Sequence, residues 1–104
     1  MNGNKLLDQI KQAVLELEPD AETLLYGSRA RQDAVRESDW DLLILVPGHV
    51  SDERKDRIRH RLYEIEWESG EIISSIVWNR EEWNSGIFQV MPFHRQVLQE
   101  AVRL

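Results

Sequence analysis

The sequence predicts an α/β layer sandwich, with helices packed on a sheet, and three observations carry that expectation. Apolar residues recur at helical spacing in separate stretches near residues 6–17, 58–65 and 93–102. Between them lie short, dense apolar runs of strand length, "ETLLY", "WDLLILV" and "IISSIVW". Gly or Pro marks most of the junctions, where the chain turns. Alternating helix and strand signals are what a sheet covered by helices requires.

Each element has its own warrant. Leu6, Leu7, Ile10, Val14 and Leu17 form the stripe of a first helix, which Pro19-Asp20 stops. "ETLLYG" is a short strand ending at Gly27, and a brief helix starts at Ser28. After the polar turn "QDAVRES", Asp39 to Val46 is a central strand closed by Pro47-Gly48. Ser51 caps a helix with Asp52 and Glu53 in its first turn; Ile58, Leu62 and Ile65 give it one apolar stripe, and it ends near Gly70. "EIISSIVW" is a third strand and "NREEW" a helical turn. Pro92 suits the first position of a last helix carrying Phe93, Val97, Leu98, Ala101 and Val102. The expected order is α-β-α-β-α-β-α.

Composition bounds the function. With 104 residues, 41% of them hydrophobic, the chain suits one domain, residues 1–104, burying roughly two thirds of its unfolded surface. Nineteen acidic against 13 basic residues leave a net charge of -6, which argues against a nucleic-acid partner, since broad grip on phosphate backbones needs a basic face. There is no cysteine, so disulfides and thiolate metal sites are excluded. The amino-terminal stretch carries charges every few residues, without the apolar segment of a signal peptide, and no run approaches the ~20 apolar residues of a membrane helix. The expected location is the cytoplasm.

The chemistry concentrates in "YGSRARQDAVRESDWDLLILV", residues 26–46. Alternation along the strand puts Asp39 and Asp41 on one face, ~6–7 Å apart, with Trp40 and Leu42 on the other. Two carboxylates so placed repel each other unless a cation lies between them. Hard oxygen donors without His or Cys suit Mg²⁺, which completes its shell with water and substrate phosphates. Upstream, Gly27 permits close approach of backbone to a ligand, and Ser28 offers a hydroxyl and N–H groups to a phosphate. Arg29 and Arg31 follow directly; one can meet phosphate while the other pairs with an acid. Alone, an Asp-x-Asp is equally a turn followed by a solvated strand end. Here the Gly-Ser step, the arginines and the apolar strand accompany it in order, and together they point to a nucleotide.

"GSRAR" followed at this spacing by "SDWDLLILV" resembles the minimal nucleotidyltransferases of the DNA polymerase beta superfamily. The resemblance is specific from Tyr26 to Val46. It implies a small nucleotidyltransferase-type mixed sheet with helices packed on it, phosphates held by Gly27 and Ser28, and catalytic metal held by Asp39 and Asp41. Family members often have Gly after the "GSxAR" arginine, where this chain has Gln32. The family also carries a third acid on the following strand, at a position aligned with Ser75. Glu71, four residues earlier, is either a displaced third acid or a surface residue. The implied activity is Mg²⁺-dependent transfer of AMP from ATP, or from another nucleoside triphosphate, to a hydroxyl of a protein acceptor, releasing pyrophosphate. The family's pairing with helical HEPN-type toxins implies an antitoxin role. The alternative is a weakened or inactive nucleotide-binding or protein-binding module that acts by contact.

Other residues read as structural. His49, His60 and His94 lie on separate elements without ligand spacing and are expected at the surface or partly packed. Arg54, Lys55, Arg57, Arg59 and Arg61 suit a solvated helix face. Trp67, Trp78, Trp83, Ile87, Phe88, Met91 and Phe93 supply core, with a remainder for a partner patch.

Overall fold

The structure, a computed structural model, describes residues 3–104; Met1 and Asn2, which open the charged amino-terminal stretch, lie outside the described residues. In chain order the elements are α1 (Gly3–Leu17), β1 (Glu22–Tyr26), α2 (Ser28–Arg31), β2 (Trp40–Val46), α3 (Asp52–Ser69), β3 (Ile73–Asn79), α4 (Arg80–Trp83), α5 (Gly86–Gln89), α6 (Pro92–Glu100) and β4 (Val102–Arg103). The four strands form one sheet in the order β3-β2-β1-β4. β2 runs parallel to β3 and antiparallel to β1, and β4 is antiparallel to β1, so the α/β fold has a mixed sheet. The parallel pair follows from the long α3 crossover; the antiparallel pair needs only a short connection.

β2 is the hub because both of its faces are covered, which explains its unbroken apolar run. On one face Trp40, Leu42, Ile44 and Val46 pack with Leu6, Ile10 and Val14 of α1 and with Ile58, Leu62 and Ile65 of α3. On the other, Leu43 and Leu45 pack with Trp83 and Val97, edged by Tyr26, Ile76, Trp78 and Phe93. Trp83 links this second layer through ring contacts to Trp78, Phe93 and His94. α3 is bounded as its sequence requires: the Ser51 hydroxyl accepts from the Arg54 N–H, and Gly70 ends the helix in a left-handed conformation.

Four expectations are corrected. The last helix stops at Glu100, because Ala101 turns extended and Val102–Arg103 pair with the open edge of β1, so the chain ends in a strand. Val102, now in the strand, and Leu98, within the helix, are both expected on its apolar stripe and are 50% and 70% exposed. His94 is buried against Trp83, not at the surface. Arg54 does not belong to a solvated face: it binds Glu18 through two nitrogens, at 2.9 and 2.5 Å, and donates to the carbonyls of Pro47 and His49. No helix among the described residues is long and apolar enough to cross a membrane.

Candidate nucleotide-binding site

The site forms where β1 ends and β2 begins. The antiparallel register sets Tyr26 opposite Asp41, so Gly27, one residue on, lies beside the Asp41 side chain. Gly27 has φ +75°, and a Cβ there would stand 2.3 Å from Asp41 Oδ2. Both facts demand glycine: the backbone is left-handed, and the carboxylate fills the space of a side chain. The Gly27 carbonyl accepts from the N–H groups of Ala30 and Arg31, at 3.0 Å each, turning the chain into α2. α2 ends at Gln32, with φ 63° and ψ 28°. The position for which the resemblance implies glycine therefore has a left-handed backbone here, which Gln32 tolerates at some strain.

Asp41 lies on the Leu43 face of β2, on the opposite side from Trp40 and Leu42 as the alternation requires. Its carboxyl is held above the ordinary aspartate range, first by burial and then by the negative charges of Asp39 and Glu100, with Arg31 opposing. Asp39 immediately precedes the strand and is exposed. The Tyr26 phenol is likewise pushed up, by burial and then by Asp41 and Glu100. The site is thus a partly buried cluster of negative charge, which suits a cation.

The two arginines separate. Arg29 donates to the Ser38 carbonyl through Nε and Nη2, at 3.3 and 3.0 Å, and to the Arg36 carbonyl at 3.1 Å. Its guanidinium lies 4.4 Å from the centre of the Trp40 ring and 3.8 Å from Glu71. It fastens the loop that delivers Asp39. Arg31 instead turns to Glu100, with Nη1 at 3.2 and 3.0 Å from its two oxygens, and to Asp33 at 3.1 Å.

Glu71 precedes β3 and accepts from the Trp40 indole N–H at 3.1 Å. It joins Arg29 and Trp40, and is not among the charges that act on Asp41. Among the described residues no three His, Asp or Glu side chains converge as a metal-binding cluster. The Ser75 alignment is corrected by one residue: Asp41 pairs with Ser74, while Ser75 pairs with Leu42 and shares the opposite face. The face of each β3 side chain is set by its register against β2, which pairs Asp41 with Ser74, and a one-residue slip in that register reverses every side chain. Sequence reasoning missed Glu100. Its carboxylate accepts from the Gly27 N–H across 73 positions of chain, and no local pattern marks a contact of that span.

A mixed sheet that places a Gly-Ser turn against an Asp-x-Asp strand defines a nucleotidyltransferase-type domain. The chain belongs to the nucleotidyltransferase domain family, which matches residues 7–102. Among solved structures it is similar to a chain of a toxin–antitoxin crystallised with AMP-PNP, with TM-score 0.64 and 14% identity over 92% of this chain and 69% of that one. It is also similar to a chain of a mutant MntA–HpeT toxin–antitoxin, with TM-score 0.56 and 15% identity over 100% of this chain and 72% of that one. At such identity these likenesses concern the fold. No curated protein gives a significant sequence match.

Proposed function

We propose that residues 1–104 act as a single cytoplasmic nucleotidyltransferase domain, binding ATP with Mg²⁺ and transferring AMP to a hydroxyl of a helical HEPN-type partner as its antitoxin. The observation that carries this reading is the contact of Gly27 with Asp41, which brings the Gly-Ser turn beside the Asp-x-Asp carboxylates. The likeness to toxin–antitoxin chains, one crystallised with AMP-PNP, supports both the nucleotide and the partner.

The donors fit the metal. Asp39 and Asp41 supply hard oxygens, and burial, followed by the charges of Asp39 and Glu100, pushes the Asp41 carboxyl up, a setting that a cation would relieve. A divalent ion held there supplies neutralisation of the charge that grows on the phosphates. Gly27 offers its backbone N–H to the triphosphate, Ser28 offers its hydroxyl, and Arg31 is the nearby cation. Arg29 acts at one remove, by fixing the Asp39 loop. In the transfer, the acceptor oxygen bonds to the α-phosphorus, the bond to the bridging oxygen breaks, pyrophosphate leaves, and the acceptor proton passes to solvent.

A second reading has its own observation: the strand position facing Asp41 is Ser74, which carries no charge. On that reading the chain binds nucleotide and partner but transfers slowly. ATP labelled at the α-phosphate, incubated with the chain and a HEPN-type partner, tests both. Label should reach the partner and be lost with Asp41→Asn. Ser74→Asp should raise the rate, by up to about 10²-fold if it restores proton removal, whereas Ser75→Asp on the far face should not. A tight complex with no labelling by any variant would leave the binding module standing. Transfer unaffected by Asp41→Asn would remove the metal assignment.

A further inference from the structure

The groups that would meet the triphosphate already hold an anion. The Gly27 N–H donates to the Glu100 carboxylate, and Arg31 Nη1 contacts both of its oxygens at 3.2 and 3.0 Å. The Glu100 side chain is 12% exposed. Its position is fixed from outside the site: Glu100 is the last residue of α6, and β4 just beyond it is paired to β1, with the Leu104 N–H donating to the Thr23 carbonyl at 2.9 Å. Asp41 repels this carboxylate, so the Gly27 N–H and the Arg31 guanidinium must outweigh a like charge to keep it.

We propose that Glu100 is a built-in competitor for the nucleotide: its carboxylate occupies the Gly27 N–H and the Arg31 guanidinium, and a polyphosphate binds there only by displacing it. The inference rests on the nucleotide reading of the site and adds to it an intrasteric control. A ligand whose competent state is a minor fraction binds more weakly by that fraction. Removing the competitor therefore strengthens binding, which is the reverse of what loss of an ordinary ligand contact does. Displacement needs only rotation of the Glu100 side chain, so α6 and β4 stay in place. The polyphosphate takes over both donors.

The test is calorimetric titration of the full chain and of its Glu100→Gln and Glu100→Ala variants with inorganic tripolyphosphate and with MgATP, each beside a ligand-free thermal melt. Glu100→Gln keeps size and acceptor oxygen, so it guards against a variant that fails to fold. Both variants should bind tripolyphosphate and MgATP about tenfold more tightly than the native chain, with a lower ligand-free melting temperature. In the native chain, the Glu100 side-chain carboxyl carbon should shift in NMR on saturation with MgATP. Native binding with unchanged affinity in both variants would make Glu100 a structural clip and overturn the inference alone. Weaker MgATP binding in the variants would overturn it in favour of a carboxylate that assists the metal. No binding by any of the three would remove the nucleotide reading and the inference with it.

Discussion

Two carboxylates at opposite ends of β2 show what the fold does with a poorly solvated negative charge. Near the strand's last residue, Glu18 is 9% exposed and gripped by Arg54 through two nitrogens. That hydrogen bonding outweighs burial and holds its carboxyl below the usual glutamate range. At the strand's first turn, Asp41 is also partly buried, yet its neighbours are Asp39 and Glu100, and its carboxyl is held above the usual range. The same residue chemistry is matched at one end and left mismatched at the other. The mismatched carboxylate lies at the end proposed here to bind nucleotide; the matched one lies at the end that stabilises.

The largest way to break this comparison is Arg54→Ala. It should cost about 3 kcal/mol in chemical denaturation at pH 7, because it strands Glu18 without its partner. Glu18→Gln in the same chain should recover part of that loss. The pH dependence follows from sign. Glu18 is depressed in the folded state, so its contribution is present above the unfolded value of about 4.3 and fades as pH falls through the lower folded value. The stability gap between the native chain and Arg54→Ala should narrow on acidification; a constant gap would show that packing alone explains it.

Asp41→Asn should act in the opposite direction on stability. It removes a charge that burial and two neighbours disfavour, and should stabilise the ligand-free chain by about 0.5–1 kcal/mol after solvent screening. The gain should be present at neutral pH and vanish below the unfolded aspartate value of about 3.9, where Asp41 is protonated in both states. The same variant should lose Mg²⁺-dependent ATP binding by calorimetry. A destabilised Asp41→Asn would erase the contrast between the two ends.

Two smaller changes sharpen it. Gln32→Gly should stabilise by a few tenths of a kcal/mol, by relieving the left-handed backbone at φ 63° against the larger freedom of glycine in the unfolded chain. Arg57→Ala, which removes only a distant charge acting on Glu18, should change stability by less than about 0.5 kcal/mol. A loss comparable to that of Arg54→Ala would mean that charge alone, and not the two-nitrogen grip, holds Glu18.

The same contrast shows how much was legible in sequence. Gly27, Asp39, Asp41 and the apolar course of β2 are local signals, read from spacing and alternation. α3 was equally plain, with Ser51 before it, Gly70 after it and a single stripe between. Arg54 was not, because its partner Glu18 is 36 positions away and its own surroundings are a run of basic residues. Glu100 and β4 were invisible for the same reason: a two-residue strand has no periodicity, and its pairing depends on where β1 leaves an open edge. Ser75 was misplaced because the register of β3 against β2 decides which of its side chains share a face with Asp41, and nothing local in the run fixes that register.

The Arg29 clamp has a consequence for the thermodynamics of ligand capture. Three hydrogen bonds to the Arg36 and Ser38 carbonyls, with the Trp40 ring stacked below, immobilise the segment that delivers Asp39. The conformational freedom of that segment is therefore lost when the chain folds and need not be lost again when a ligand arrives. Replacing Arg29 would move that entropic cost from folding to association, so capture of a ligand at the proposed site would become more sensitive to temperature.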